Sequence, residues 1–225
     1  MKAQTPVQLA LDLPSRPARD RDAFLVADAN RLALAQIDGW PDWPQGRLAL
    51  FGPPGCGKTH LVHVWLARSR GRLLDLAALA EADLSSADPT GAVAIDDADG
   101  IAEASGPDAA RLEQRLFHLC NLLAEGGGTL LLTGRTAPMH WGLGLPDLAS
   151  RLSVAATARL DPPDDALLSA ILVKLFGDRQ IRVGPDLIEY LVRRIDRSPA
   201  AAERVVCALD QAALAGKRAI GPRLA

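Results

Sequence analysis

A glycine-rich run that ends in Lys-Thr, between residues 52 and 59, constrains the fold of this chain more than any other feature. The run matches the pattern G-x-x-x-x-G-K-[ST] at every fixed position. The apolar run 47–51 before it predicts a buried strand, and residues 58–67 predict a helix. Glycines in such a strand–loop–helix turn let successive backbone N–H groups surround phosphate oxygens. The alternative, a glycine–proline turn that binds nothing, fits the complete pattern and its context less well.

The pattern assigns a role to each fixed residue. Lys58 is expected to reach the β- and γ-phosphates of a nucleotide, and the Thr59 hydroxyl is expected to ligate Mg²⁺. The candidate contacts of the phosphates are Gly52, Pro53, Pro54, Gly55, Cys56, Gly57, Lys58, Thr59 and His60. His60 and His63 lie at i and i+3 of one predicted helix, but no third metal ligand accompanies them, so a metal site there is disfavoured.

Composition narrows the class of protein. With 225 residues, of which 48% are hydrophobic, the chain can form one sizeable domain and a small appendage. A net charge of −2 gives no electrostatic reason for strong direct DNA binding. The three cysteines are far apart in sequence and favour a reducing compartment. Without a long apolar run or the apolar core of a signal peptide, the sequence predicts a cytoplasmic protein with no membrane contact.

The chain divides into three parts. Residues 1–22 contain three prolines and a charged run, and they predict a flexible tail. In residues 23–161 strands alternate with helices, which indicates an α/β core with a parallel sheet. Residues 162–225 predict only helices, at about 164–176, 185–195 and 199–215, and so a small helical lid. The predicted strands are Leu48–Phe51, Leu73–Leu76, Ala92–Ile95, Thr129–Thr133 and Val154–Leu160.

An apolar strand ending in two carboxylates, Ala92-Val93-Ala94-Ile95-Asp96-Asp97, is the second candidate element of a nucleotide site. In a phosphate-loop fold we expect this strand beside the first one. Asp96 would then hold Mg²⁺ through water, and Asp97 would orient or deprotonate an attacking water. The alternative is a solvent-facing aspartate pair that begins a turn.

Together with Arg151, at the end of a short predicted helix, these elements resemble the AAA+ ATPases of the replication-initiator (DnaA) branch over residues 8–216. The matching segments are 24–33, Gly52–Leu61, Ile95-Asp96-Asp97, Leu132-Thr133-Gly134-Arg135 and Ser150-Arg151-Leu152. The resemblance implies an α/β P-loop AAA+ core with a small C-terminal all-helical lid. It also implies that ADP or ATP binds with Mg²⁺, that Asn30 and Arg31 lie at the adenine, and that Arg204 reaches the nucleotide from the lid.

Within that branch the chain is similar to the Hda type of regulatory inactivator. We expect no DNA-binding helix-turn-helix after the predicted lid, and residues 8–13 (Gln8-Leu9-Ala10-Leu11-Asp12-Leu13) resemble a clamp-binding peptide. An extended segment can insert Leu11 and Leu13 into an apolar groove while Gln8 donates or accepts a hydrogen bond at its rim, and Leu9 belongs to the same segment. By itself this short pattern is weak, and the alternative is an amphipathic stretch of the tail that binds nothing.

The resemblance implies a negative regulator of replication initiation. Its implied partners are DnaA and the β sliding clamp of DNA polymerase III, and a homo-oligomer is possible. Arg151 would act on the partner's nucleotide as a catalytic arginine finger, as Arg residues do in trans. Two departures from the family pattern predict weak ATP turnover by the chain itself. The family has an aspartate near the position of Arg135, and this chain has none there. The alignment also places Glu203, and not Arg204, at the position of the family's nucleotide-sensing arginine. A helicase loader and a nucleotide-stabilised clamp adaptor remain alternatives, and an isolated arginine is more often part of a surface ion pair.

Overall fold

A computed structural model describes residues 25–84 and 88–216. Five strands and eight α-helices alternate along most of that length. The strands are β1 Arg47–Phe51, β2 Arg72–Leu74, β3 Ala92–Ile95, β4 Thr129–Gly134 and β5 Ala156–Arg159. The helices are α1 Asp28–Asp38, α2 Lys58–Ser69, α3 Leu76–Glu81, α4 Gly106–Gly126, α5 Pro146–Ser153, α6 Asp165–Asp178, α7 Pro185–Val192 and α8 Pro199–Gly216.

The strands form one parallel sheet in the order β2-β3-β4-β1-β5. The prediction that β3 lies beside β1 is wrong, because β4 lies between them. All six residues of β4 are buried, and such a continuously buried strand is stable where helices cover both faces of a sheet and strands flank it on both sides. This order brings Thr133, near the end of β4, between the phosphate loop and Asp96.

Helices cover both faces of the sheet. On one face α3, α4 and α5 pack over a core that includes Leu116, Leu119 and Leu148. On the other face α1 and α2 pack over Leu48, Leu50 and a tryptophan cluster in which Trp43 stacks on the fully buried Trp65, with ring centroids 5.4 Å apart. The sheet is therefore buried on both sides, as parallel sheets require.

Helices α6, α7 and α8 form a separate apolar cluster after the sheet. Its buried residues include Leu172, Phe176, Leu187 and Val206. The element types predicted for this region are confirmed, although α7 ends at Val192 rather than near residue 195.

Two predicted strands differ from those observed. The strand expected at Leu73–Leu76 ends at Leu74, because the Asp75 side chain accepts a hydrogen bond from Ala78 N at 2.6 Å and so begins α3. The strand expected at Val154–Leu160 is the shorter Ala156–Arg159. Within residues 25–84 and 88–216, no helix combines the length and apolar character needed to cross a membrane.

Candidate nucleotide-binding site

The glycine-rich loop connects β1 to α2 at the edge of the sheet where the strands end, called here the carboxyl edge. Gly55 and Gly57 have φ angles of 75° and 109°, which side chains rarely tolerate. A Cβ at Gly55 would lie 2.6 Å from the Cβ of Ser198, the residue before α8. The loop is thus in close contact with the N-terminus of α8, and both features require glycine at this position.

Lys58, the first residue of α2, is 6% exposed. Its ammonium group donates to the carbonyl oxygens of Gly52 at 2.8 Å and Pro53 at 3.1 Å. These bonds fold the side chain back along the loop, so its charge lies inside the curve of backbone where phosphate oxygens are expected.

Thr59, Asp96 and Thr133 are joined in one hydrogen-bond network. The Thr59 hydroxyl donates to Asp96 Oδ2 at 2.8 Å, and the Thr133 hydroxyl donates to Asp96 Oδ1 at 2.6 Å. Thr133 also accepts from the backbone N–H of Asp97 at 2.8 Å. The fully buried Thr133 therefore fixes both aspartates to β4, and Thr59 connects Asp96 to α2.

The donor set at Thr59 and Asp96 fits Mg²⁺. A hydroxyl and a carboxylate oxygen lie 2.8 Å apart, and Mg²⁺ prefers such hard oxygen ligands while it keeps several waters and phosphate ligands. Across the part of the chain that the structure describes, no group of three or more His, Cys, Asp or Glu residues is arranged to hold a metal. Mg²⁺ here would therefore depend on nucleotide phosphates for part of its coordination.

Asp97 lies beside this network with a φ of 49°, a conformation that Asp adopts more readily than most residues. Although the residue is largely exposed, partial burial of its carboxyl group raises its pKa, and the neighbouring charge of Asp96 raises it further. Lys58 acts in the opposite direction. A carboxyl group with a raised pKa can hold or accept a proton near a reacting water.

A cavity of about 400 Å³ extends from the loop to α8. Its lining combines acidic, basic and imidazole side chains, with Glu203 on the α8 side. The lining residues are Pro54, Gly55, Gly57, Lys58, Thr59, His60, His63, Asp97, Arg135, Pro199, Ala200 and Glu203. The cavity volume is within the range of small-molecule sites.

The loop residues Gly52, Pro53 and Cys56 are not part of this lining, and neither are the three contacts predicted outside the loop. Arg204 is exposed, and the neighbouring Glu203 faces the cavity instead. Arg31 is exposed and pairs with Asp28. Asn30 is buried, but its amide oxygen accepts from Ala27 N at 2.9 Å and its amide nitrogen donates to Leu25 O at 2.8 Å. The Asn30 side chain thus stabilises the start of α1. The roles of all three at a nucleotide stay predictions.

Cys56 is also part of the loop but is 7% exposed and packs with the apolar residues under β1 and α2. Burial raises the pKa of its thiol, although Lys58 opposes this. Its side chain therefore contributes to packing, and any contact with phosphate would come from its backbone.

Arg151 lies far from the glycine-rich loop, at the opposite edge of the sheet, called here the amino edge. It is in the last turn of α5, and its guanidinium group lies 5.3 Å from the centroid of the Phe117 ring on α4. Its carbonyl oxygen accepts from Arg47, the first residue of β1, at 3.3 Å. The side chain is half-buried.

Sequence reasoning did not assign a role to several residues that organise the loop and the surroundings of α5. Thr133 stood in a matching segment without a function of its own, and no pattern pointed to Ser198, Arg47, Glu113 or Phe117. Thr133 had one detectable signal, since it is a polar residue near the end of an apolar strand.

No family model matches the sequence. Solved structures with similar folds include domain III of the Thermotoga maritima replication initiation protein DnaA, with 17% identity and a TM-score of 0.75 over 94% of this chain and 95% of that one. AMPPCP-bound DnaA from Aquifex aeolicus has 17% identity and a TM-score of 0.73 over 89% of this chain and 68% of that one. The Thermotoga maritima RuvB Holliday junction branch migration motor has 18% identity and a TM-score of 0.63 over 92% of this chain and 70% of that one. The chain therefore has the AAA+ P-loop α/β fold, followed by C-terminal helices.

Proposed function

We propose that this protein is a negative regulator of replication initiation that promotes ATP hydrolysis by DnaA. In this proposal the chain binds ADP or ATP with Mg²⁺ between the glycine-rich loop and α8. Its tail docks on the DNA-loaded sliding clamp, and Arg151 reaches the ATP of a neighbouring DnaA molecule. Hydrolysis then leaves DnaA bound to ADP and prevents a second initiation.

The observation that carries the proposal is the position of Arg151 at the amino edge. The glycine-rich loop follows the last residue of β1, whereas Arg151 is bonded to Arg47 at the first residue. Five residues of strand, about 16 Å at 3.3 Å per residue, separate the two. Arg151 is thus remote from its own chain's phosphate site, while the half-buried residue keeps part of its surface accessible to a second molecule. In-trans arginines accelerate hydrolysis by about 10³–10⁵-fold.

Binding of an adenine nucleotide is supported by the loop itself. Gly55 and Gly57 adopt the conformations that a phosphate cradle needs, and Thr59 and Asp96 offer oxygen ligands for Mg²⁺. DnaA from Aquifex aeolicus, which has a similar fold, is known with bound AMPPCP. Bound Mg²⁺ would neutralise charge on the phosphates, and Lys58 would do so from the other side.

Weak ATP turnover by the chain itself is part of the proposal. Glu203 faces the cavity with a negative charge, and the exposed Arg204 does not line it. A carboxylate at this position provides no compensation for the charge that develops on a transferred phosphoryl group. The partner's site, rather than this one, would then be where hydrolysis is stimulated.

Docking on the clamp is proposed from the sequence alone. Gln8, Leu9, Leu11 and Leu13 lie outside the described residues, so their role rests on the resemblance of residues 8–13 to clamp-binding peptides. Replacing both Leu11 and Leu13 by alanine should abolish co-elution with the clamp and leave ADP binding unchanged. Clamp binding by this double variant would contradict the docking step.

The central test measures ATP bound to DnaA in the presence of DNA-loaded clamp and either the wild-type protein or Arg151→Ala. We expect the wild-type protein to lower bound ATP, and Arg151→Ala to lose about 10³-fold or more of the stimulated rate while it still binds clamp and nucleotide. Arg111→Ala is the matched control, because Arg111 is an exposed arginine of α4 paired with Glu81. Full stimulation by Arg151→Ala would overturn the proposal.

Measurement of DnaA-bound ATP, together with a pull-down, separates the alternatives. A clamp adaptor would bind the clamp and leave DnaA-bound ATP unchanged. A helicase loader would be captured by the replicative helicase and not by the clamp in a pull-down with both.

A further inference from the structure

Helix α5, which carries Arg151, is held at each end by a buried charged side chain from another element. At its start the carboxylate of Glu113, 8% exposed, accepts the backbone N–H groups of Gly144 at 2.9 Å and Leu145 at 2.6 Å. Leu145 is the residue that immediately precedes α5. A negative charge at this end is favourable, because the N-terminus of a helix carries partial positive charge.

At the other end the guanidinium of Arg47, 3% exposed, donates to the carbonyl oxygens of Arg151 at 3.3 Å and Cys120 at 3.4 Å. A third bond, at 3.3 Å, goes to the side-chain oxygen of Gln45. A cation is favourable here, because the C-terminus of a helix carries partial negative charge. Arg47 therefore ties the main chain of Arg151 to both β1 and α4.

Neither charge has an ionic partner within residues 25–84 and 88–216; both are satisfied by neutral polar groups. Burying a charge without a counter-charge is costly, and apolar side chains of similar volume often stabilise a fold as well or better. Stability alone is therefore a poor explanation for two buried charges around one short helix. Both instead fix its main chain at defined points.

Helix α4 completes the support from a single face. Glu113, Phe117 and Cys120 lie at positions i, i+4 and i+7, so their side chains share one side of the helix. Glu113 bonds the start of α5, the Phe117 ring lies against the Arg151 guanidinium, and the Cys120 carbonyl accepts from Arg47. One rigid helix and one strand thus determine where the Arg151 side chain emerges.

We propose that Arg47 and Glu113 are positioning residues, which hold α5 so that Arg151 meets a partner's nucleotide in one pose. This inference rests on the proposed function, since it concerns how Arg151 acts and not whether it acts. A misplacement of about 1 Å at a catalytic group can cost about 100-fold in rate. Loss of either buried charge should therefore lower the stimulated rate even when the protein is folded and docked.

The experiment measures hydrolysis of DnaA-bound ATP with DNA-loaded clamp as a function of the concentration of the full-length protein. For Arg47→Met and Glu113→Gln we expect the maximal stimulated rate to fall by about 10–100-fold, with the half-saturating concentration unchanged. Arg47→Lys should recover part of the rate, because one ammonium can bond one of the two carbonyls. Leu79→Ala is the control, since it destabilises the same core by removing a fully buried side chain of α3 and leaves both buried charges in place.

A purely structural role predicts a different result. If Arg47→Met and Leu79→Ala, compared at equal distance below their unfolding temperatures, give the same maximal rate, the inference is wrong. If Arg47→Met fails to fold, Phe117→Leu replaces it, because it removes the ring against Arg151 and leaves both buried charges. A wild-type maximal rate for that variant and for Glu113→Gln would likewise overturn the inference.

The Arg151→Ala variant separates this inference from the proposed function. Loss of stimulation in Arg151→Ala together with wild-type rates in Arg47→Met and Glu113→Gln rejects only the positioning role. Full stimulation by Arg151→Ala rejects the proposed function itself.

Discussion

The cavity at the carboxyl edge and the two ends of α5 place charged side chains in opposite surroundings. Around the cavity, charged groups of both signs line one open space, among them Arg135, Asp97 and Glu203. At the ends of α5, Arg47 and Glu113 are each buried and bonded to neutral main-chain groups. Both regions belong to the same α/β core, so the difference arises from the loops and helices attached to its sheet.

This difference indicates what each region does. Charges around an open cavity can rearrange when an anionic ligand enters, since solvent and ligand can replace their contacts. Charges buried among fixed carbonyl and N–H groups cannot rearrange without a large cost. The carboxyl edge is thus arranged for binding, and the two supports of α5 for holding Arg151 in place.

The largest change is expected in the affinity for ADP, from Gly55→Ala at the carboxyl edge. Alanine at a φ of 75° is strained, and its Cβ would lie 2.6 Å from Ser198. Strain of about 1–3 kcal/mol together with this overlap should weaken ADP binding by about 10–100-fold. Calorimetric titration with ADP measures the change directly.

Gly177→Ala provides the matched control for that substitution. Gly177 lies in α6 without a positive φ, and a Cβ there would meet nothing within 4 Å. Alanine should therefore leave ADP affinity unchanged and stabilise the helix slightly. Wild-type affinity in Gly55→Ala would show that the loop tolerates displacement from α8.

Most of the carboxyl edge could be predicted from the sequence because its chemistry is local. The glycines, Lys58 and Thr59 occupy one continuous pattern, and Asp96 follows a short apolar strand that the structure reproduces at Ala92–Ile95. The order of strands could not be predicted in the same way. It depends on β4 being buried on both faces and flanked by β1 and β3, which is a property of the whole sheet.

The two supports of α5 gave almost no signal in the sequence. Arg47 and Glu113 are single charged residues, one beginning an apolar strand and one beside the leucines of α4, where exposure is the ordinary expectation. Their role depends on distances between segments that are 31 to 104 residues apart. Asn30 illustrates the opposite case, in which resemblance suggested a ligand contact and the structure shows bonds to the neighbouring backbone.

An intermediate effect is expected at the start of α5 from Glu113→Ala. The variant leaves the N–H groups of Gly144 and Leu145 without their acceptor in a partly buried site. We expect the free energy of unfolding to fall by about 1–3 kcal/mol, measured by urea unfolding of the ligand-free protein. Glu81→Ala removes an exposed carboxylate paired with Arg111 and should cost less than about 1 kcal/mol. Equal losses in the two variants would contradict the contrast between buried and exposed charges.

The smallest effect is expected from Asp97→Asn, and it depends on pH. Because partial burial and Asp96 raise the pKa of Asp97, the folded protein binds this proton more tightly than the unfolded chain does. The ionised carboxylate therefore destabilises the fold above its folded-state pKa, and this penalty disappears as pH falls through that value. Solvent screens the exposed side chain, so Asp97→Asn should gain about 0.5 kcal/mol or less at neutral pH and progressively lose that gain on acidification.

Asp88 gives the control of opposite sign. Hydrogen bonds from Thr90 lower the pKa of Asp88, so its charge stabilises the folded state at neutral pH and this contribution is lost as pH falls through the folded-state pKa. Thermal unfolding of Asp97→Asn and Asp88→Asn across the acidic range should therefore give differences from the wild-type protein that change in opposite directions with pH. Parallel changes would mean that ionised Asp97 does not destabilise the folded protein. The carboxyl edge would then lack the repulsion between Asp96 and Asp97 that a bound cation is expected to reduce.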